Sequence, residues 1–184
     1  MRMVAKDEYA VVLDFLPLGK IGERRSEPIA QVIGEKFFNL LEVGVREGIE
    51  VKVGEKVYIG PEKREKIRYI KRKITYDELT NLAKKNLKVV LEELVKEELI
   101  VNFFNKSVPL SARFHMMELL PGIGKKILKN ILEERRKEPF KSIEDIKKRI
   151  PGIPEPKRIV IERIIDELKR KDKHRLFVGT AMFI

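Results

Sequence analysis

Two periodicities divide this chain. Up to about residue 74, apolar residues form short runs or alternate with polar ones, and Gly or Pro interrupts each run. Tyr9 to Leu16 is a run of β-formers that Pro17-Leu18-Gly19 ends, and residues 19–28 read as a basic loop holding Gly22, Arg24, Arg25 and Pro28. Residues 29–33 are a short apolar run closed by Gly34. In 37–45, Phe37, Leu41, Val43 and Val45 share a face. Ile49, Val51 and Val53 alternate with charged residues, Val57 and Ile59 continue past Gly54-Glu55, and 67–74 form a last, very basic strand after Gly60-Pro61. Five short strands with Gly or Pro turns predict a small antiparallel barrel over 1–74, OB-like as the first choice and SH3-like as the second.

From residue 75 the period becomes helical. Thr75-Tyr76-Asp77-Glu78 has the form of a capping box, and Leu79, Leu82, Ala83, Leu87, Val90, Leu91 and Leu94 then form one stripe. Val101, Phe103 and Phe104 extend it, so two or three packed helices are expected over 75–108. A further helix is predicted over 110–119, with Ala112, Phe114, Met117 and Leu120 facing inward. The reading is α+β: a small barrel, then an all-α domain over 75–184.

The helical part is organised around Leu119-Leu120-Pro121-Gly122-Ile123-Gly124-Lys125-Lys126. Pro121 ends one helix, Gly122 permits a positive φ, and Gly124 leaves room for a close partner. The next helix, with Ile127, Leu128, Ile131 and Leu132 on one face, begins with backbone N–H groups that lack intrahelical acceptors. Its dipole adds partial positive charge, which makes a phosphate site, and Lys125, Lys126 and Lys129 strengthen it. The stretch resembles the helix-hairpin-helix motif, which grips nucleic-acid backbones without reading sequence. It recurs: Ile150-Pro151-Gly152-Ile153 repeats 120–123, and Val160, Ile161, Ile164 and Ile165 repeat the stripe after it. Ser142 caps a short helix between the copies. The second copy has Pro154-Glu155-Pro156 where the first has Gly124. Proline lacks an amide donor and Glu155 repels phosphate, while Lys157 and Arg158 partly restore positive charge. The first hairpin is therefore expected to bind and the second mainly to pack.

Charge changes the picture next. Forty Lys and Arg against 29 Asp and Glu give a net charge of +11. The surplus is +4 over 1–74, −1 over 75–108 and +8 over 109–184, so it concentrates beside the hairpins and favours a polyanionic partner. In the barrel, Arg68, Lys71 and Arg72 surround Tyr69, a combination suited to tracking phosphates while an aromatic face stacks on an unpaired base. The same cations also suit a solvated edge strand. There is no cysteine, which excludes disulfides and thiolate metal sites. No metal or other cofactor is expected. No apolar run has the length of a membrane span and no signal peptide is visible, so a cytoplasmic protein is expected. The 38% charged residues and the single glutamine, Gln31, suit a hot environment. The apolar end, 176–184, is expected to pack as a strand on the barrel or against the helices.

A basic barrel, a helical connector and the hairpin, with residues 115–126 (HMMELLPGIGKK) as its most specific stretch, resemble an archaeal family of unknown function whose members are described as candidates for RNA binding. The resemblance spans essentially the full chain. It implies an OB-like N-terminal part, a helix-hairpin-helix C-terminal part, no known enzymatic activity, and RNA ahead of DNA as partner. The leading reading is a sequence-nonspecific nucleic-acid-binding protein. One rival is a module that docks on a ribosomal or polymerase-associated protein. Another is a DNA glycosylase of the hairpin type, with Lys126 as nucleophile and Asp145 as the nearest aspartate; Asp145 reads as part of a helix start, and the helices that build a base pocket are missing. His115 has no partner at ligand spacing and reads as structural.

Overall fold

The period-two stretches pair into one antiparallel sheet. Its strands are β1 (Tyr9–Leu16), β2 (Ile29–Gly34), β3 (Leu40–Val45), β4 (Lys56–Tyr58) and β5 (Ile67–Lys73), in the order β4-β1-β2-β3-β5. The computed structural model describes residues 5–169 and 173–184; residues 170–172, where the C-terminal tail begins with a run of charged residues, lie outside them. The sheet curls into a half-barrel whose edges are β4 and β5, each paired on one side only among the described residues. Its concave side buries Val12, Val32, Leu41, Val43, Val45, Val57 and Ile67, the residues that alternation places on one face.

Two expected strands are shorter than their alternation suggests. The 37–45 strand begins only at Leu40, because the Asp7 carboxylate accepts the Lys36 and Phe37 N–H groups (2.7 and 3.0 Å) and holds a turn there, with Phe38 at φ 55°. Residues 49–53 form no strand: Val51 is buried, but Ile49 and Val53 face solvent at 37% and 45% exposure. The Glu55 side chain accepts the Lys52 N–H instead, closing a turn before β4.

Packing divides the chain into two units: residues 1–94 with 177–181, and residues 95–176 with 182–184. The expected division lay at 74/75. Helix α1 (Asn81–Leu94) belongs with the sheet because polar side chains sew it on. Thr80 Oγ1 donates to Asp14 and accepts the Ala83 N–H, Gln31 bridges the Glu78 carbonyl and the Thr80 N–H, and Asn86 donates to the Leu13 carbonyl. The capping box forms as read, with the Thr75 N–H donating to Glu78 at 2.7 Å.

The second unit holds α2 (Glu97–Lys106), a two-stranded ribbon of β6 (Pro109–Ser111) and β7 (Phe114–His115), a 3-10 turn (Met116–Leu119), α3 (Lys125–Lys137), α4 (Ile143–Arg149) and α5 (Pro156–Lys169). The helix expected over 110–119 is thus replaced by the ribbon and one 3-10 turn, and Ala112 and Phe114 face outward. His115 explains the stop. Its Nδ1 accepts the Met117 N–H (3.1 Å) and its own N–H donates to Glu118 (2.8 Å), which caps a new turn at the point where a helix would have continued. The core is Ile100, Phe103, Phe104, Met117, Leu128, Ile131, Phe140, Ile146 and the stripe Ile159, Val160, Ile161 and Ile164. The tail makes no strand. Gly179 donates to the Phe37 carbonyl in the first unit, and Phe183 stacks edge-on against Phe103, 5.0 Å away, in the second.

Candidate nucleic-acid interface

The two Pro-Gly turns of the second unit are built alike. The Ile123 N–H donates to the Leu120 carbonyl and the Ile153 N–H to the Ile150 carbonyl, both at 3.3 Å. Gly122 and Gly152 sit at φ 85° and 77°, a region that costs other residues about 1–2 kcal/mol. The turns also touch: a Cβ on Gly122 would meet Pro154 Cγ at 2.8 Å, whereas one on Gly152 would meet nothing within 4 Å.

Beyond the turns the copies diverge. Helix α3 starts after Gly124, which has no side chain to cap it, and its first turn holds no acidic residue. Its first internal bond runs from the Leu128 N–H to the Gly124 carbonyl (2.9 Å), so the amides of Lys125, Lys126 and Ile127 have no acceptor in the helix. Gly122, Gly124, Lys125 and Lys126 are exposed and Ile123 is buried. Helix α5 starts on Pro156, which has no N–H, after the exposed carboxylate of Glu155.

The lysines differ among themselves. Lys125 is engaged: its Nζ lies 2.8 Å from Glu118 and donates to the Arg113 carbonyl at 2.7 Å. That contact, followed by the His115 N–H, holds the Glu118 carboxyl below its usual range. Lys126 carries no carboxylate partner among the described residues. Lys129 only approaches Glu133, at 3.9 Å. In the second copy Arg158 pairs with Glu162 (3.1 Å), Lys157 is half-buried, and Glu155 pairs with Lys147 (3.1 Å). A shallow open depression runs along Glu118 to Gly124 and is bounded by Arg163 and Asp166 of α5.

The barrel cluster is arranged differently from its sequence. The Tyr69 ring lies over Gly44 of β3, where a Cβ would come within 2.6 Å of it, and its hydroxyl donates to Glu27 at 2.5 Å. That hydrogen bond raises the tyrosine's pKa. Lys71 contacts Glu23 (2.9 Å), Glu27 (3.6 Å) and the fully buried Glu42 (3.8 Å); Arg72 contacts Glu78 (2.6 Å) and Glu42 (3.8 Å). Lys20 completes the cluster, 2.6 Å from Glu42. The Glu78 carboxyl is pulled to about 2 by the Thr75 N–H first and Arg72 second. Only Arg68, exposed, stands outside these pairs. Sequence reasoning missed the carboxylates because they come from the loop after β1, from β3 and from the turn after β5, and no local spacing links them.

Of the two residues the enzymatic rival would use, Lys126 is exposed and Asp145 is engaged in the local structure. Asp145 accepts the Lys141 N–H (3.0 Å) and pairs with Arg149 (3.1 Å) at the start of α4. Burial first, and the Arg135 charge second, push the pKa of His115 down. Among the described residues no group of three or more His, Asp or Glu side chains could hold a metal ion, and no helix is long and apolar enough to cross a membrane.

Residues 6–179 match the family described as "Protein of unknown function (DUF655)". The chain belongs to this family. It is 43% identical over 176 residues to the uncharacterized protein MJ0038 of Methanocaldococcus jannaschii, covering 94% of this chain and 80% of that one. A solved structure of the same family, that of Af1531 from Archaeoglobus fulgidus, is 44% identical with a TM-score of 0.85, covering 93% of this chain and 99% of the other.

Proposed function

We propose that this DUF655 member is a sequence-nonspecific nucleic-acid-binding protein that grips backbone phosphates at the first hairpin. The observation that carries the reading is the uncapped start of α3: three amides without helical acceptors, no acidic residue in the first turn, and beside them an exposed Lys126 with no carboxylate partner among the described residues. Donors of this kind contact phosphate oxygens and carry no sequence information. On this reading the paired turns are a helix-hairpin-helix module whose first helix has shrunk to the 3-10 turn, and the half-barrel is the OB-like part. RNA stands ahead of DNA on the family resemblance alone, since phosphate is common to both. No catalytic step is assigned.

Affinity for a labelled RNA duplex, measured by fluorescence anisotropy between about 50 and 200 mM salt, tests the reading. It should fall steeply as counterions compete. Lys126→Glu should weaken binding at least about tenfold while the circular dichroism spectrum is unchanged. A salt-independent affinity, or full binding by the variant, would overturn the assignment.

A further inference from the structure

Within the basic strand β5, Tyr69 and Lys71 are partly buried while their neighbours are exposed. Resting on the function proposed above, we infer that the loop between β1 and β2 masks a second, single-strand-binding surface, with the Glu23 and Glu27 carboxylates standing where phosphates of the ligand would sit.

Joined by a chain of ion pairs around Lys71 and Glu42 lie three cations, Lys20, Lys71 and Arg72, and four carboxylates, Glu23, Glu27, Glu42 and Glu78. The cluster is formally one charge negative, so as it stands it repels a polyanion despite its basic sequence. The four carboxylates are not equivalent. Glu42 is fully buried on β3, and Glu78 is fixed in the capping box on Thr75. Glu23 and Glu27 are held by no backbone hydrogen bond to their carboxylates among the described residues. They reach β5 through side chains that are about one-third exposed, from a segment without regular structure that contains two positive-φ glycines, Gly19 and Gly22. When these two side chains swing out while Lys20 stays on Glu42, the balance reverses to one net positive charge. Lys71 then loses its two nearest partners and the Tyr69 hydroxyl loses its acceptor.

The uncovered surface has the chemistry of a single-strand site. Lys71 and Arg72 belong to the cluster around a tyrosine ring supported from beneath by Gly44, a platform on which a base of any identity stacks. A duplex presents no base face, so the surface selects unpaired nucleic acid. Phosphate oxygens replace the glutamate oxygens on Lys71 one for one, so the exchange costs few hydrogen bonds and weakens with salt.

The test uses the whole chain and a labelled oligouridine of about twelve nucleotides, read by anisotropy. Glu23→Gln with Glu27→Gln removes the charge and keeps the side-chain length. It should tighten binding about fivefold or more. Glu47→Gln with Glu50→Gln changes the same net charge at exposed positions that make none of the cluster's ion pairs, and should change affinity less than about twofold. Adding Tyr69→Ala and Lys71→Ala to the first pair should abolish its gain. Equal gains from the two glutamate pairs, or a gain that survives loss of Tyr69 and Lys71, would overturn the mask. Lys126→Glu separates the two claims. If it weakens binding while the Glu23/Glu27 pair does nothing, the hairpin stands and the mask falls. If it does nothing while that pair tightens binding, the reverse holds. Binding by none of these chains overturns both.

Discussion

The two turns of the second unit share a backbone and differ in chemistry. Leu120-Pro121-Gly122-Ile123 and Ile150-Pro151-Gly152-Ile153 close the same hydrogen bond at the same length and place glycine in the same left-handed region. The residues C-terminal to each turn decide its use. After the first comes Gly124 and then free amides with Lys126; after the second come Pro154, Glu155 and Pro156, which supply a ring to pack, a negative charge and a missing donor. The fold thus repeats an element, and under the proposed function only the first copy grips an anion. Pro154 contributes to the first copy, since it sits against Gly122.

That contact gives the largest expected effect. Gly122→Ala should destabilise the chain by about 2–3 kcal/mol, combining a disfavoured φ with a clash against a proline ring. Gly152→Ala meets open space and should cost only the backbone share, about 1–2 kcal/mol. Chemical denaturation of both variants measures the difference, and equal losses would mean that the turns do not lean on each other as described.

Binding should separate the copies next. Lys126→Glu is expected to weaken duplex binding about tenfold or more, and Arg158→Glu less than about threefold, because Arg158 already pairs with Glu162. If Arg158→Glu proved the more damaging, the second turn would be the binding one. Converting the second copy should cost the least stability and give a modest gain: Glu155→Lys reverses a charge beside a helix start and should tighten binding about threefold, with a steeper salt dependence. No gain would show that the missing Pro156 donor, not the charge, silences this copy.

How far the sequence reveals all this depends on the range of the interactions. The repeat was legible because a Pro-Gly turn and a 3.6-residue stripe are local: Leu128, Ile131, Val160, Ile161 and Ile164 of the two stripes are buried, and Ile127, Leu132 and Ile165 half-buried at their margins. β1 was legible because proline and glycine punctuate it. The strand expected from residue 37 failed on Asp7, about thirty residues away, whose carboxylate holds the turn. The helix expected over 110–119 failed on His115, whose ring caps a turn that no residue-type rule marks as a cap. Helix α1 packs with the sheet, past 74/75, because Thr80, Gln31 and Asn86 attach it through side-chain hydrogen bonds that no local spacing reveals. Most telling is β5, where counting the charges of one strand ignored carboxylates from three other segments. Net charge by region predicts long-range attraction; it does not say which cations are free.

The smallest effect concerns Lys125, the residue that the sequence ranked with Lys126. Its ammonium is paired with Glu118 and the Arg113 carbonyl, although its side chain is 69% exposed, so its charge is partly committed. Glu118→Gln keeps an acceptor for the His115 N–H and removes the charge that holds Lys125. Duplex affinity should rise by about twofold and no more, since the Arg113 carbonyl still restrains the ammonium. The same pair sets a pH dependence. The Glu118 carboxyl is held below its ordinary 4.5 by Lys125 and then by the His115 N–H. Its contribution to stability is therefore fully present above about pH 4.5 and is lost as pH falls through the lower folded value. Thermal melting between about pH 5 and pH 3 should fall less steeply for Glu118→Gln than for the parent chain. Weaker binding by the variant at neutral pH, with melting unchanged, would reverse the assignment: the Glu118–Lys125 pair would then be what holds the first turn in its phosphate-gripping shape, and Lys125 would belong with Lys126 after all.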